Sequence, residues 1–262
     1  MSRGWRAAAA AVAGTKHAAS GERCQDAVRV QQCGETLILA VADGAGSSQL
    51  AAEGADAAVR ILSACLEQRL RGTPLERWSE ADARACLEET RSLLSGLADE
   101  AGASLRDLAC TLMAAAANAT RALLVQIGDG AIVLSAEAGE DWCWMFEPHR
   151  GQYANETSFL SDEDAVARAN VAIVPAPAEL AMFTDGLERL LIQEGPQRTV
   201  VSAFFQQMMP PIRELTAAGC DSNLSRLLTD YLGSEAIRER TDDDCTLVLA
   251  TRLAVPSLQP AG

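Results

Sequence analysis

The sequence predicts a single domain of the α+β class from the order of its strand-like and helical segments. Apolar runs typical of strands come first and a helical block follows; strands, helices and one last strand complete the chain. The 262 residues are enough to bury a substantial core, and 48% of them are hydrophobic, as in ordinary globular proteins. No repeat, low-complexity tract or long linker divides the sequence, so residues 1–262 are expected to form one domain.

The first part of the chain predicts strands and then a helix pair. The pattern from Trp5 to Val41 is strand-like, with a polar interruption at 17–25. Apolar residues then recur at helical spacing from Leu50 to Leu70. Thr73-Pro74-Leu75-Glu76 and Ser79-Glu80-Ala81-Asp82 each place a hydroxyl cap before an acidic third residue, which is typical of a helix start.

The middle of the chain predicts three consecutive strands, at Leu108–Ala115, Ala122–Ile127 and Ala131–Leu134. Turn residues at 118–120 and 128–130 separate them, which predicts a meander.

The last part of the chain predicts an irregular segment, two short strands, helices and a closing strand. Residues 137–169 are less regular and hold five of the eleven aromatic residues. The short strands are expected at Val171–Val174 and Leu180–Phe183, the helices between Leu187 and Leu232, and the last strand at Thr246–Leu253.

Charge and cysteine content exclude several classes of partner and site. The net charge of −14 argues against nucleic acid and anionic membranes as main partners, and no apolar stretch approaches the ~20 residues that cross a bilayer. Eight cysteines without a C-x-x-C pair, beside only two histidines, argue against a zinc site and favour reduced thiols in the cytoplasm. The apolar run 7–13 could be the apolar region of a signal peptide, but Trp5 before it and Gly14-Thr15-Lys16-His17 after it favour an opening strand and its turn.

Carboxylates stand at four predicted strand ends. Apolar runs end at Asp43-Gly44, Asp129-Gly130 and Asp185-Gly186, and Asp242-Asp243-Asp244 comes directly before the last strand. An isolated Asp-Gly after a strand is usually only a turn. Four acidic strand ends with few basic residues beside them are different, because a buried carboxylate is costly unless it is paired or binds a metal. We therefore expect a cation to supply the compensating charge.

The order of these elements along residues 5–253 resembles the metal-dependent protein phosphatases of the PP2C type. The resemblance lies in six elements: His17…Cys24-Gln25-Asp26, Asp43-Gly44-Ala45-Gly46, Cys110-Thr111-Leu112, Gly128-Asp129-Gly130, Thr184-Asp185-Gly186-Leu187 and Asp243-Asp244-Cys245-Thr246. It implies a four-layer αββα sandwich, in which helix pairs flank two antiparallel β-sheets, with a binuclear Mn²⁺ or Mg²⁺ site at one end.

The resemblance also implies hydrolysis of phosphoserine and phosphothreonine in proteins. Two divalent ions roughly 3.5–4 Å apart lower the pKa of a bridging water, which attacks phosphorus in line without a phosphoenzyme. Oxygen ligands suit hard cations such as Mg²⁺ and Mn²⁺.

The resemblance assigns the main metal ligands by their position in the motifs. Asp43 would bridge the two metals, and the Gly44 carbonyl would bind the second. Asp185 and Asp243 would hold the first.

The remaining motif residues take secondary roles. Asp129, together with Asp185, resembles the acids of a weaker third metal site, and Asp26 would order metal-bound waters. Asp244 is expected to support its neighbour in the chain, Asp243. Thr111 and Thr246 are interpreted as structural strand residues.

Three positions depart from the family pattern. The family's phosphate-binding Arg has no clear counterpart, and Lys16 or a protonated His17 is expected in its place, the alternative being a solvated turn. Gln25 replaces a Glu and predicts weaker binding of the second metal. Ala45 replaces a His that protonates the leaving group, so that a metal-bound water or His17 supplies the proton, or acidic leaving groups are preferred.

The irregular segment is expected to be a flap over the site. The His17…Gln25-Asp26 opening and the stretch 153–160 resemble a bacterial subgroup of the family, and residues 140–165 would shape access of the substrate. Trp142, Trp144 and Tyr153 could contact the substrate, but packing onto the sheet is the favoured interpretation for the two tryptophans.

The sequence therefore predicts a cytoplasmic, Mn²⁺- or Mg²⁺-dependent phosphatase acting on phosphorylated proteins, with a Ser/Thr kinase as its opposing partner. A weakly active regulatory module that binds a phosphoprotein or a kinase is the alternative, favoured by the three departures. Retention of Asp43, Asp185 and Asp243 argues against that alternative. A hydrolase of small phosphoesters is a third possibility.

Overall fold

The computed structural model describes residues 4–146, 157–193, 195 and 198–252. Its strands, in chain order, are β1 (Trp5–Val12), β2 (Asp26–Cys33), β3 (Thr36–Asp43), β4 (Leu112–Ala117), β5 (Arg121–Ile127), β6 (Ala131–Ser135), β7 (Cys143–Trp144), β8 (Asn170–Pro175), β9 (Glu179–Phe183), β10 (Ile192–Gln193), β11 (Thr199–Val200), β12 (Gly219–Cys220) and β13 (Cys245–Arg252). Its helices are α1 (Thr15–Ser20), α2 (Ala51–Gly72), α3 (Glu80–Glu100), α4 (Ala165–Arg168), α5 (Glu188–Leu191), α6 (Ser202–Met208), α7 (Pro210–Arg213), α8 (Ser222–Leu232) and α9 (Glu235–Arg238).

Two sheets form the centre of the fold. One has the strand order β2-β3-β4-β5-β8 and is antiparallel throughout. The other has the order β12-β1-β13-β9-β6-β7, and its only described parallel pair is β1 with β12. The predicted α+β sandwich of two sheets flanked by helices is confirmed.

Burial on both faces explains why the strands are continuous apolar runs rather than alternating ones. In β3, Leu37, Leu39 and Val41 face the core between the sheets, whereas Ile38 and Ala40 belong to the core under α2 and α3. Successive side chains of a strand point to opposite faces, so each strand contributes to two cores. The short helices α5 to α9 cover the outer face of the second sheet.

The predicted meander is wrong, because the third of its strands belongs to the other sheet. β4 pairs with β5, but β6 pairs with β9 and β7. Residues 128–130 therefore carry the chain from one sheet to the other, and Gly128 has the positive φ of 104° that such a turn needs. Strands of both sheets are equally apolar, so hydrophobic periodicity cannot assign a strand to its sheet.

The ends of several elements also differ from the predictions. The polar interruption at 17–25 includes part of α1, whose C-cap is Gly21 with a φ of 74°. The motif at 73–76 leads into a 3₁₀ turn, Leu75–Arg77, rather than a helix, whereas Ser79 and Asp82 form the expected capping box of α3. A second 3₁₀ turn, Leu105–Leu108, stands where the first strand of the predicted meander would begin.

Two further observations concern the environment of the chain. All eight cysteines lie within the described residues and are free. In the part of the chain that the structure describes, no helix combines the length and the apolar composition that a membrane span requires.

Candidate metal centre

The ends of β2 and β3 place two carboxylates opposite each other. Asp26 and Asp43 are register partners in the antiparallel pair. The backbone N–H of Asp43 donates to Thr111 Oγ1 (3.0 Å), and the Thr111 N–H donates to the Asp43 carbonyl (2.8 Å). Thr111 thus fixes the backbone that presents Asp43, which agrees with its predicted structural role.

The second sheet contributes two more carboxylates at the same end of the sandwich. Asp185 directly follows the segment that ends β9, and Asp243 precedes β13, the antiparallel neighbour of β9. The charges of Asp185 and Asp243 both act on Asp43, and that of Asp129 acts on Asp185. The structure therefore brings five of the predicted site residues together, and we call them the acidic cluster: Asp26, Asp43, Asp129, Asp185 and Asp243.

Two threonine hydroxyls from the second sheet hold Asp26. Thr184 Oγ1 and Thr246 Oγ1 each donate to Asp26 Oδ2 at 2.8 Å, and both threonines are buried. Sequence reasoning missed Thr184 and treated Thr246 as a structural strand residue. Their position in the sequence could have indicated this role, because each threonine lies within three residues of a motif aspartate.

Burial and mutual repulsion raise the pKa of the inner carboxyl groups. For Asp43 burial is the largest cause of the raised pKa, followed by the charges of Asp26, Asp185 and Asp243. Burial likewise raises the pKa of Asp26 and of Asp185, against the lowering effect of the threonine hydroxyls on Asp26. Keeping all these groups ionised at neutral pH therefore requires a compensating positive charge.

The donors available in the cluster suit a hard divalent cation. They are carboxylate oxygens, the ligands that Mg²⁺ and Mn²⁺ prefer. Asp26 Oδ1 and Gln25 Oε1 are buried and have no hydrogen-bond partner among the described residues. No three acidic, histidine or cysteine side chains in the described part of the chain already have the arrangement of a complete ligand set. The chemistry of the donors fits the ions, and side-chain adjustment would be needed to surround them.

Close packing explains the glycine after two of the motif aspartates. A Cβ on Gly44 would lie 2.6 Å from the carbonyl oxygen of Ala51, and one on Gly186 would lie 1.9 Å from that of Asp244. Neither glycine has a positive φ, so a sharp turn is not the reason for them. The missing side chain lets α2 and the start of β13 approach the two aspartates.

Asp244 ties the segment between β1 and β2 to the cluster. Its Oδ1 accepts from the Gly14 N–H (2.7 Å) and from His17 Nδ1 (2.9 Å), and its Oδ2 accepts from the Gln25 N–H (2.6 Å). Asp244 is only 3% exposed. Its backbone N–H also donates to Asp243 Oδ1 (2.9 Å), which is the predicted support of that residue.

The two residues predicted to bind phosphate differ in their surroundings. His17 is buried, and because its Nδ1 donates to Asp244, its Nε2 is the remaining ring nitrogen, 3.8 Å from Glu22 Oε2. Lys16 is exposed, and its backbone N–H donates to the Asp242 carbonyl (3.1 Å).

Asp129 is the exposed member of the cluster, and one described residue of the predicted flap contacts it. Asp129 is exposed, and its Oδ2 accepts a hydrogen bond from Thr157 Oγ1 (2.5 Å). Trp142 is buried and stacks on Phe205 with 4.4 Å between ring centroids, so it is a core residue. The guanidinium of Arg198 lies 5.7 Å from the ring centroid of Trp144. Tyr153 and the rest of 147–156 lie outside the described residues.

Known proteins share both the fold and the sequence pattern. The structure resembles the serine/threonine phosphatase PstP/Ppp of Mycobacterium tuberculosis, with a TM-score of 0.65 and 18% identity over 95% of this chain and 99% of that one. It also resembles the catalytic domain of PstP in complex with two manganese ions, with a TM-score of 0.62 and 19% identity over the same shares of the two chains. At these identities the likeness establishes the fold, a two-sheet sandwich of the phosphatase type.

Sequence comparison then establishes the family. The sequence profile of protein phosphatase 2C matches residues 13–229. The chain is 34% identical over 255 residues to serine/threonine-protein phosphatase 3 of Escherichia coli (strain K12), covering 94% of this chain and 98% of that protein. The chain belongs to the protein phosphatase 2C family, as its motifs indicate.

Proposed function

We propose that this chain is a metal-dependent phosphatase that hydrolyses phosphoserine and phosphothreonine in proteins. The observation that carries the proposal is the acidic cluster, built from both sheets at one end of a fold of this family. The serine/threonine phosphatases among its relatives support the same activity. Membership of the family favours an enzyme over the alternative of a purely regulatory module.

Two Mn²⁺ or Mg²⁺ ions are the proposed cofactors, as in the manganese-bound PstP domain. Asp43, Asp185, Asp243 and the Gly44 carbonyl would hold them, and Asp129 would contribute to a weaker third site. When bound, such ions lower the pKa of a water and neutralise the oxygens of the phosphoryl group. The raised pKa of Asp43 supports this assignment, because a nearby cation would relieve the repulsion that raises it.

The remaining residues would position water and phosphate. Asp26 is held through Oδ2 by two threonines, and its partnerless Oδ1 is free to accept a hydrogen bond from a water in the cluster. Asp244 fixes the orientation of His17, and a protonated imidazole at that place can contact phosphate or donate a proton to the leaving oxygen. Lys16 would add a second, exposed positive charge for the phosphate.

Several wider assignments belong to the same proposal. Residues 1–262 would form a single domain, in which 140–165 is a flap that shapes substrate access. The substrate would be a phosphorylated protein and the opposing partner a Ser/Thr kinase. Eight free cysteines support a reducing compartment, the cytoplasm.

The test is hydrolysis of a phosphothreonine peptide with Mn²⁺, with a chelator, and by the Asp185→Asn variant. We expect hydrolysis by the wild type with Mn²⁺ and its loss in the other two conditions. Asp230→Asn is the matched control, because Asp230 is an exposed acid on α8. Hydrolysis that resists the chelator, or that Asp185→Asn retains in full, would overturn the two-metal assignment. Tight Mn²⁺ binding without turnover would favour the regulatory module instead.

A further inference from the structure

A polar cleft of about 540 Å³ lies beside the acidic cluster, and none of its lining residues is assigned to the metals or to the phosphate. One side is formed by Arg106 on the second 3₁₀ turn, and the other by the segment 157–168. Its lining is mainly polar, with three arginines, three acidic residues and several hydroxyl groups.

Hydrogen bonds place one end of the cleft next to the cluster. Thr157, which lines the cleft, donates to Asp129 Oδ2. On the other side, the Arg106 carbonyl accepts from Ser48 Oγ (2.9 Å), in the loop that follows Asp43. A peptide whose phosphorylated residue reached the cluster would therefore have its neighbouring residues within reach of this cleft.

Two of the three arginines that line the cleft are already engaged by described groups. Arg168 pairs with Asp162 (3.3 Å) and Asp164 (2.7 Å). Arg91 donates to the Asp162 carbonyl (3.1 Å) and to that of the preceding residue. Arg106 is exposed, and its guanidinium has no ion-pair or hydrogen-bond partner within the described ranges.

One acid of the lining, Glu163, has no ion-pair partner among the described residues and also borders a second cavity. Glu88 and Asp99 line that cavity along α3 as well, and Arg106 does not. Among the described residues, Arg106 is thus the arginine of the lining whose guanidinium is left to contact a ligand.

The wall of the cleft is fixed by arginines of α3. Arg84 donates to the carbonyls of Val166 (2.5 Å) and Ala169 (3.1 Å), and Arg91 binds two carbonyls near the start of the same segment. Hydrogen bonds from charged donors are among the stronger ones, so these bonds hold the segment against the helix. The cleft is accordingly preformed, and little ordering of this wall would be needed to bind a peptide.

We propose that this cleft binds an anionic side chain beside the phosphorylated residue of the substrate, and that Arg106 selects it. The proposal rests on the proposed phosphatase function and adds a substrate class to it. The bound group is a carboxylate or a second phosphate, both of which match the planar donor fork of arginine. Arg106 is a specificity residue, because it contacts the substrate away from the reacting atoms.

The test compares phosphothreonine peptides that differ only beside the phosphorylated residue. Glutamine, glutamate or phosphoserine is placed on its N-terminal or its C-terminal side, and kcat/KM is measured with Mn²⁺ for the wild type and Arg106→Gln. We expect the wild type to favour the anionic peptides by about fivefold, the upper range for an exposed ion pair, and Arg106→Gln to lose that preference. The glutamate and phosphoserine peptides distinguish the two sources of the charge.

Matched variants separate this inference from the function on which it rests. Arg77→Gln, at an exposed position in the 3₁₀ turn Leu75–Arg77, should keep the wild-type preference, and Arg106→Glu should favour basic neighbours instead. Raising the ionic strength to about 1 M should remove the preference of the wild type. An Arg106→Gln enzyme that hydrolyses peptides with an unchanged preference would overturn the inference alone. A wild type without Mn²⁺-dependent hydrolysis of any peptide or small aryl phosphate would overturn the proposed function as well.

Discussion

The inner and outer carboxylates of the acidic cluster differ in burial and in how firmly the fold holds them. Asp26 is 8% exposed and accepts two threonine hydroxyls from the opposite sheet, and Asp43 is fixed through its backbone by Thr111. Asp129 is exposed and accepts a single hydroxyl, from Thr157. Burial makes the inner pair, Asp26 and Asp43, costly to ionise, and the fold fixes the side chain of Asp26 and the backbone of Asp43; the outer Asp129 is exposed to solvent.

The largest expected effect separates the inner from the outer acids directly. Asp43→Asn should lower kcat/KM on a phosphothreonine peptide by roughly 10³-fold, because metal stabilisation of the transition state is worth several kcal/mol. Asp129→Asn should cost about tenfold, the smaller loss typical of a supporting group. Steady-state kinetics with Mn²⁺ measure both, and equal losses would contradict the division into inner and outer acids.

The next effect concerns the packing that brings the inner acids together. Gly186→Ala would place a Cβ 1.9 Å from the Asp244 carbonyl oxygen and should lower the free energy of unfolding by about 1–3 kcal/mol. Gly46 has open space around its Cβ position, so Gly46→Ala is the matched control and should have little effect. Urea unfolding of the two variants measures the difference, and equal stabilities would show that the close approach is not needed.

A smaller effect is expected from the hydroxyl groups that hold Asp26. Thr246→Val keeps the shape of the side chain but removes one of the two hydrogen bonds to Asp26 Oδ2. We expect kcat/KM to fall about tenfold, at the low end for residues that orient a metal site. Thr246→Ser retains the hydroxyl and should restore activity. Equal kinetics for the valine and serine variants would show that the hydroxyl does not position Asp26.

The smallest effect is expected from Lys16, whose side chain is exposed to solvent. Lys16→Gln should raise KM for the phosphopeptide about threefold at low salt, because exposed charge pairs contribute little. The change should disappear at high ionic strength. A large fall in kcat would instead place Lys16 among the groups that act in the transition state.

Local features of this fold were predictable from the sequence, and long-range pairings were not. The apolar runs, the helix pair and the capping box at Ser79 follow from local spacing and capping chemistry. The transfer of β6 to the second sheet was not predictable, because its side chains are as apolar as those of β5.

The candidate site shows the same limit. The motif aspartates were singled out from strand ends, and the structure places them at one end of the sandwich. Their supporting partners are distant in sequence: Thr184 and Thr246 reach Asp26 across 158 and 220 positions, and Asp244 reaches His17 across 227. No local pattern encodes such contacts, so only the adjacency of these residues to the motifs could have indicated them.

The inner carboxylates of the cluster need a cation at neutral pH. In the folded chain without metal, the raised pKa of Asp43 keeps a proton bound where the unfolded chain, with its lower pKa, has lost it. Stability of the metal-free protein should therefore fall as pH rises above about 4, the ordinary pKa of aspartate, and Asp43→Asn should weaken that fall.

Thermal unfolding of the wild type and Asp43→Asn between pH 5 and 8, with chelator and with Mn²⁺, tests this claim most directly. We predict that in chelator the melting temperature of the wild type falls more steeply with pH than that of Asp43→Asn. Saturating Mn²⁺ should raise the melting temperature of the wild type, since binding at about 100 times Kd is worth about 2.7 kcal/mol, and should raise that of Asp43→Asn far less. The opposite result would be melting temperatures in chelator that fall equally with pH for the two proteins, together with no stabilisation of the wild type by Mn²⁺. That result would contradict a need for a cation.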